Sequence, residues 1–400
     1  MIKRQIFIAV LSAFVVATAQ AEISDGVIRI GVLTDMNGTY AALAGPGSVL
    51  AARMAVEEFG AARKGMKVEI LTGDHKNKPE IGSGIVRQWY DVDKVDVVVD
   101  VPNSGVALAV NDMTRGTNKA LLVSGAASSD LTGKACSPNT VHWTYDTWAL
   151  ANGTGSVIAS TFGKTWFFVT VNYAFGQALQ SDTEAAVIKA GGQVRGSALH
   201  PLNTPDLTPY LKQAQASNAK IIGLANAGGD VINAIKLAAD LGISRSGQRL
   251  AALLITDAEI HSIGLEKSQG LLFTSPFYWD LNPKTRAWSK QFFDKHKQMP
   301  TMIQAGVYAS VLHYLKAVEA LRSDDGSKVV AKMKEMPTND PLFGSGRIRQ
   351  DGRKTHPMYL FEVKKPAESK GEGDYMKLLG VVSATAAFRP EKEGNCPLVK

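Results

Sequence analysis

The chain has 400 residues, of which 45% are hydrophobic and 20% are charged, a balance typical of a folded globular protein with about two domains. This balance excludes collagen-like and intrinsically disordered chains. The formal net charge is +7, but the basic residues are scattered rather than clustered, so we expect no binding to nucleic acid.

Residues 1–21 have the pattern of a secretory signal peptide. A short basic start precedes an apolar run over residues 6–16, and residues 19–21 read Ala-Gln-Ala, a small-x-small cleavage site. The apolar run is short for a membrane span, and no other stretch of the chain reaches 18 apolar residues. We therefore expect cleavage after Ala21 and an exported mature chain.

Strands and helices alternate through the next hundred residues. Continuous Val, Ile and Leu runs separated by amphipathic helices are typical of a parallel sheet that is covered on both faces. The predicted strands are 27–35, 66–74, 95–101 and 120–125, and the predicted helices are 45–61, 79–92 and 104–116.

The same alternation restarts after residue 150, so the predicted fold class is α/β, with two doubly wound parallel-sheet units of similar build. The turn signal RQDGRK predicts a hairpin in a β-rich tail. The predicted strands are 165–171, 192–199, 219–226, 249–257, 346–352, 356–365 and 375–383, and the predicted helices are 174–190, 206–216, 229–241, 283–299 and 302–322.

Small and polar residues follow the strands of the first unit where ligands bind in such sheets, beyond the carboxyl ends. Small residues let a ligand approach the main chain, and first-turn amides at helix starts favour an anion. Plain helix capping explains one such loop, but two neighbouring loops of this kind favour a carboxylate site. The candidate residues are Asn103, Ser104, Gly105, Ser124, Ala126, Ala127 and Ser128.

The second unit offers aromatic residues at comparable positions. Tyr173 and Phe175 follow one strand, Tyr278 lies near a later crossover, and Tyr145 lies where one unit passes into the next. Each is either packing or a surface against which a flat ligand stacks. Asp257 follows a buried run and is a candidate partner for a ligand ammonium or hydroxyl, or else a helix cap.

Cys136 and Cys396 are the two cysteines of the chain. Because an even number of cysteines in an exported chain favours pairing, we expect a disulfide between them rather than two buried thiols. Nothing in the sequence suggests a metal or redox site, and we expect no cofactor.

Five segments together resemble the substrate-binding proteins of branched-chain-amino-acid-type ABC importers, which have the type I periplasmic binding fold. They span nearly the whole mature chain. The segments are IRIGVLTDMNGTYAALAGPGSVLAARMAVEE, VSGAASSDLTGKACSPNTVHW, VNYAFGQAL, IIGLANAGGDVINAIKLAADLG and GRIRQDGRKTHPMYLFEVK.

The resemblance implies two lobes that close on a ligand about three hinge crossovers, which we place near 144–148, 275–279 and 343–350. It implies a monomeric periplasmic receptor without enzymatic activity, serving a membrane permease. We expect the first lobe to comprise 22–145 and 277–346, and the second lobe to comprise 146–276 and 347–400.

The resemblance also implies roles for individual residues. The positions that bind the ligand carboxylate correspond to Asn103 or Ser104 and to Ala126 and Ser128. The position of the aromatic wall corresponds to Tyr173. The region that binds the ligand ammonium corresponds to Asn226 to Gly228 and to Asp257. Two departures, PNSGVA for a Ser-Ser-Ser/Thr run and TDAE where a Glu is usual, disfavour an amino acid ligand. Since HWTYDTWALANG and FYWDLN resemble the aromatic-carboxylate branch, we favour an aromatic acid, with a branched-chain amino acid as the alternative.

Two other classes of function remain open. An exported hydrolase is disfavoured because the sequence has no G-x-S-x-G, H-E-x-x-H or P-loop motif. A ligand sensor with the same fold is compatible with the sequence, because one fold serves many functions.

Overall fold

Two parallel β-sheets form the centres of two lobes in the structure, a computed structural model that describes residues 23–400. The predicted signal peptide lies outside the described residues. Within residues 23–400, no helix combines the length and the apolar character needed to cross a membrane.

The first lobe is built on a five-stranded sheet in which every neighbouring pair is parallel. Its elements before the first crossover are β1 (Val27–Thr34), α1 (Gly45–Phe59), β2 (Lys67–Asp74), α2 (Pro79–Asp91), β3 (Val97–Asp100), α3 (Ser104–Thr114), β4 (Ala120–Val123) and β5 (Thr140–His142). The strand order is β2-β1-β3-β4-β5. Helix α1 begins with a proline in its first turn and is followed by Gly60, whose φ of +70° is the left-handed conformation that glycine adopts readily.

The second lobe is built on a four-stranded parallel sheet in the order β7-β6-β8-β9. The elements are α4 (Thr147–Leu150), α5 (Ser156–Thr161), β6 (Thr165–Val171), α6 (Ala174–Lys189), β7 (Gln193–His200), α7 (Thr208–Ala216), β8 (Ile221–Ala225), α8 (Gly229–Asp240), β9 (Arg249–Ala252), α9 (Asp257–Ile263), α10 (Leu265–Ser268) and β10 (Leu272–Ser275). A single π-helical turn, Ala151–Gly155, joins α4 to α5.

The rest of the chain returns to the first lobe and then crosses back. Its elements are α11 (Pro283–His296), α12 (Met302–Leu321), α13 (Gly326–Glu335), β11 (Thr338–Asp340), β12 (Gly344–Ile348), β13 (Lys354–Thr355), β14 (Met358–Val363), β15 (Met376–Val382) and α14 (Ala384–Ala387). Helix α12 is buried on nearly every face because it packs against α1, α13 and the sheet at β3 and β4. Strand β14 pairs antiparallel with β10 and β15 on the second lobe.

The predicted fold class is confirmed, including three crossovers. They lie between β5 and α4, between β10 and α11, and through β12 and β13, which form the antiparallel hairpin predicted at RQDGRK. Two predicted strands differ clearly in extent. The strand predicted over 346–352 is β12, which ends at Ile348. The strand predicted over 249–257 ends at Ala252, because Thr256 and Glu259 form a capping box that begins α9.

The disulfide between Cys136 and Cys396 is confirmed, with the two Cα atoms 5.6 Å apart. It ties the C-terminal segment to the loop between β4 and β5 of the first lobe. Arg389 reinforces this attachment by donating from Nη2 to the Ser129 carbonyl oxygen, 3.2 Å away. The residue-level lobe boundaries stay a prediction.

Candidate functional site

The loops after β3 and β4 lie side by side at the carboxyl end of the first sheet. The amides of Ser124 and Gly125 both donate to the Asp100 carbonyl oxygen, at 3.1 and 3.2 Å. The Ser128 amide donates to Ser104 Oγ, 3.2 Å away. These bonds join the two loops that the sequence singled out into one surface.

The backbone is strained where β3 ends. Asp100 and Val101 have φ values of +79° and +53°, in the left-handed region that a β-branched residue such as valine rarely adopts. Such strain persists only where the surrounding structure enforces it, and it is concentrated at functional sites. Here it turns the chain so that Pro102 reaches the surface between the lobes.

A narrow cavity lies between the lobes at this surface, and we call it the tyrosine cavity. None of its lining residues, within the described chain, carries a charge. The lining residues are Tyr40, Leu43, Pro102, Gly125, Ala127, Tyr145, Tyr173, Phe175, Ala227 and Leu254.

The two lobes touch across this cavity, so the structure has the closed form. The hydroxyl oxygens of Tyr40 and Tyr173, one from each lobe, are 2.7 Å apart and share a hydrogen bond. The Gly229 amide of the second lobe donates to Thr39 Oγ1, 2.9 Å away. Near the first crossover, Asp182 Oδ2 accepts hydrogen bonds from Ser129 Oγ and from Thr147 Oγ1, at 2.9 and 2.6 Å.

The tyrosine hydroxyls of the cavity remain neutral. Burial raises the pKa of Tyr40, Tyr145 and Tyr173 above the ordinary value of 10.0. Tyr145 donates its hydroxyl proton to the Gly125 carbonyl oxygen, 2.7 Å away. The site therefore offers uncharged aromatic walls and neutral hydroxyl groups.

One backbone donor in the lining is free. Among the described residues, the Ala127 amide has no hydrogen-bond acceptor, whereas the amides on either side donate to the Val101 carbonyl oxygen and to Ser104 Oγ. Because a buried N–H is normally satisfied, this amide is a natural donor to a ligand oxygen.

Four of the residues predicted from sequence line the tyrosine cavity: Ala127, Tyr145, Tyr173 and Phe175. Ser104 and Ser128 lie directly behind them and are fully buried. Ser128 Oγ also accepts from the Asp130 amide, 3.4 Å away, so both serines support the loop.

Four other predicted residues of the first lobe face away from the cavity. Asn103 Oδ1 caps α3 by accepting from the amides of Gly105 and Val106, at 2.9 and 3.1 Å. Ser124 Oγ lies 3.5 Å from Ser310 Oγ on α12. The Ala126 methyl group packs in the core, and its carbonyl oxygen contacts His142 Nε2 at 2.8 Å.

The predicted residues of the second lobe are also dispersed. Asn226 Nδ2 lies 3.1 Å from His200 Nε2, inside that lobe. Tyr278 donates its hydroxyl proton to the Gly373 carbonyl oxygen, 2.9 Å away, and packs in the second-lobe core.

Two acids lie near the cleft, but neither lines the tyrosine cavity. Glu259 accepts from the Thr256 amide at 2.6 Å and from the Gly228 amide, so its carboxylate is occupied by the backbone. Asp257 lines a second interlobe cavity together with Ala42, Phe293 and Met299. Burial raises the pKa of both carboxyls to about 7.

Sequence reasoning missed five lining residues: Tyr40, Leu43, Pro102, Gly125 and Leu254. Tyr40 and Leu43 follow the end of β1 in the segment DMNGTYAALAG, which begins at a strand end like those already considered. The aromatic residue in that segment was the signal available. Leu254 carried no such signal, because it reads as part of a longer strand. No group of three or more metal-ligating side chains occurs in residues 23–400.

Solved structures of related proteins share this architecture. A periplasmic binding protein from Burkholderia mallei is 44% identical with a TM-score of 0.92, and the match covers 94% of this chain and 100% of that one. A branched-chain amino acid ABC transporter periplasmic ligand-binding protein from Burkholderia xenovorans is 34% identical with a TM-score of 0.83, covering 93% and 100%.

A more distant structure shares the fold alone. It is a solute binding protein of an ABC transporter from R. palustris in complex with 4-hydroxybenzoate, 22% identical with a TM-score of 0.81, covering 90% of this chain and 97% of that one. The family model described as periplasmic binding protein matches residues 27–372. With two lobes closed over a cavity and a match over most of its length, the chain belongs to the periplasmic binding protein family.

Proposed function

We propose that this protein is a periplasmic solute receptor that closes on a small aromatic carboxylate and delivers it to the permease of an ABC importer. The observation that carries the proposal is the tyrosine cavity, walled by aromatic side chains from both lobes and lined by uncharged residues. Aromatic walls suit a flat ring, which gains stacking or edge contacts in addition to the burial of apolar area.

The carboxylate of the ligand would bind at the loops after β3 and β4. The free amide of Ala127, which lines the tyrosine cavity, donates to one carboxylate oxygen in this proposal. Hydrogen bonds to a charged acceptor are about twice as strong as neutral ones, so few donors are enough.

The placement of the acids favours an aromatic acid over an amino acid. An α-ammonium group needs a carboxylate partner in the same cavity, because a buried unpaired charge is costly. Glu259 is engaged by two backbone amides, and Asp257 faces the second interlobe cavity. The 4-hydroxybenzoate held by the R. palustris protein is consistent with this choice.

The alternative ligand is a branched-chain amino acid, which is favoured by the description of the B. xenovorans protein. Closure is then a population shift driven by contacts that form in the closed state, whichever ligand binds. The periplasmic location and the monomeric state are parts of the same proposal.

Calorimetric titration of the mature protein tests the proposal with three probes: 4-hydroxybenzoate, 4-hydroxybenzyl alcohol and leucine. We expect saturable binding of the acid and at least tenfold weaker binding of the alcohol, which has the ring but no carboxylate. Equal binding of acid and alcohol would remove the carboxylate role from the β3 and β4 loops. Loss of uptake of the acid on deletion of the gene would distinguish transport from sensing.

A further inference from the structure

The C-terminal segment runs from the second lobe to the first, and we call residues 383–396 the C-terminal strap. The strap leaves the second lobe after β15, which pairs with β14 on that lobe. It ends on the first lobe, where Cys396 forms the disulfide with Cys136. The strap is therefore a fourth connection between the lobes, in addition to the three crossovers, and a covalent bond closes it.

Polar contacts hold the strap to both lobes. On the second lobe, Asn152 Nδ2 donates to the Ala386 carbonyl oxygen, 2.6 Å away. On the first lobe, Arg389 Nη2 donates to the Ser129 carbonyl oxygen, 3.2 Å away. Because three residues of backbone span at most about 11 Å, these two contacts together allow the lobes little separation at this point.

The third crossover supports the middle of the strap. Arg349 Nη1 donates to the Arg389 carbonyl oxygen, 2.7 Å away. The Phe388 ring is buried, and the Arg353 guanidinium lies 4.8 Å from its centroid. Since opening of the lobes bends this crossover, opening must also disturb the strap that packs on it.

The strap also supports an interlobe hydrogen bond of the closed form. Ser129 is 5% exposed and donates from Oγ to Asp182 Oδ2 of α6 in the second lobe, 2.9 Å away. The strap approaches this loop closely because Gly133 has no side chain. A Cβ atom there would lie 2.8 Å from both Arg389 Nη2 and the Gly394 carbonyl oxygen. Arg389 therefore holds Ser129 at the position where it meets the second lobe.

We propose that the C-terminal strap is a conformational device that favours the closed form before any ligand binds. Its polar contacts form in the closed structure and position Ser129 for the bond to α6. The disulfide alone is too far along the chain to limit opening, because the ten positions from Ala386 to Cys396 span up to about 36 Å. It keeps the strap beside the first lobe, so that the contacts form again at high effective concentration after each opening. The proposal does not depend on which ligand binds.

Hydrogen exchange of the ligand-free mature protein, followed by mass spectrometry, tests the proposal. The readout is the Gly229 amide, resolved from overlapping peptides, which donates to Thr39 Oγ1 of the other lobe at 2.9 Å. Peptides of β6 report global unfolding and correct for any loss of overall stability. Replacing Cys136 and Cys396 with serine should speed exchange at Gly229 at least threefold relative to β6. An unchanged ratio would mean that the strap only fastens the C-terminal segment, and the proposal would be wrong.

Two single variants keep the disulfide and test the polar contacts. Gly133→Ala should displace Arg389, and Arg389→Met should remove the donor to Ser129. Each should speed exchange at Gly229 relative to β6, by a smaller factor than the loss of the disulfide. Lys392→Met removes one positive charge from an exposed position of the strap and is the matched control, which should exchange as the wild type does.

These single variants decide the matter even if the variant without cysteines is too unstable to measure. Wild-type exchange at Gly229 in both Gly133→Ala and Arg389→Met would contradict the role of the contacts. Equally fast exchange in Lys392→Met and Arg389→Met would also contradict it, because the effect would then come from the loss of a charge.

Discussion

The hydrogen bond between Tyr40 and Tyr173 joins the two lobes through one pair of hydroxyl groups. Both side chains also line the tyrosine cavity, so in the proposed receptor they would contact the ligand as well as hold the closed form together. The sequence identified Tyr173 by its position after β6. It could not identify Tyr40 as its partner, because the contact joins residues 133 positions apart in sequence.

Tyr173→Phe removes this hydroxyl and keeps the ring. We expect ligand binding to weaken by about 1 kcal/mol, roughly fivefold in Kd, because one hydrogen bond of the closed state is lost. Tyr359→Phe, in β14 of the same lobe, is the matched control and should leave Kd unchanged. Calorimetric titration with 4-hydroxybenzoate provides the measurement, and equal affinities of the two variants would contradict this role.

Asp257 is buried in the second interlobe cavity, where burial raises its pKa from 3.8 to about 7. The folded protein therefore holds this proton between about pH 4 and 7, where the unfolded chain releases it. The carboxyl group contributes stability below the unfolded pKa, and that contribution is lost as the pH rises towards 7.

Asp257→Asn removes this titration. We expect the free energy of unfolding to fall less between pH 4.5 and 7 than in the wild type, with a difference on the order of 2 kcal/mol. Urea unfolding across this range provides the measurement, with the exposed Asp91→Asn as a control for the loss of one charge. Parallel pH profiles for wild type and Asp257→Asn would show that this carboxyl group does not govern the slope.

The contact between the N-terminus of α8 and the segment after β1 shows how an element boundary can control closure. Gly228 precedes α8 with a φ of +62°, and a Cβ atom there would collide with the Thr39 carbonyl oxygen in the other lobe. The sequence predicted α8 within one residue of its end, but it did not show that its start faces the first lobe.

Gly228→Ala should obstruct closure. We expect at least tenfold weaker binding, about 1.4 kcal/mol, because the methyl group collides with the opposite lobe. Gly264→Ala is the matched control, since its φ is +85° and no atom lies within 4 Å of the position that its methyl group would take. It should carry a similar backbone strain, about 1–3 kcal/mol, with unchanged affinity. If both variants bind equally well, the two lobes do not meet at Gly228 in the liganded state.

The residues at the end of each apolar run determine whether the predicted bounds of an element agree with the structure. The run TWFFVTV forms strand β6 over the residues predicted from the sequence, 165–171. A continuous apolar run of this kind is typical of a strand that is buried on both faces of a parallel sheet. The run after Ala252 looked similar, but a capping box at Thr256 and Glu259 starts a helix there. Asp257 therefore lies at the start of a helix and not at the end of a strand. The hydrophobicity of the run alone could not distinguish these two positions.

The whole molecule depends on long-range connections that periodicity does not reveal. The disulfide between Cys136 and Cys396 closes a separation of 260 residues and attaches the C-terminal segment to the first lobe. The pairing could be predicted because the chain has two cysteines and a predicted signal for export. The sequence did not show which surface the C-terminal segment covers, and only the structure identifies it.

Replacing both cysteines with serine should lower the free energy of unfolding by about 2–5 kcal/mol, because a long loop in the unfolded chain is no longer constrained. Thermal unfolding with and without a reductant provides the measurement. The wild type should lose stability in the reductant, and the double variant should not respond to it. A wild type that is indifferent to complete reduction would contradict this role.

The most direct test of the proposed receptor is thermal unfolding of the mature protein with 4-hydroxybenzoate and, separately, with leucine. A ligand at about 100 times its Kd adds roughly 2.7 kcal/mol of stability, which is enough for a clear rise in melting temperature. We predict that 4-hydroxybenzoate raises the melting temperature and that leucine does not. A rise with leucine alone would contradict the aromatic-acid proposal and would favour a branched-chain amino acid as the ligand.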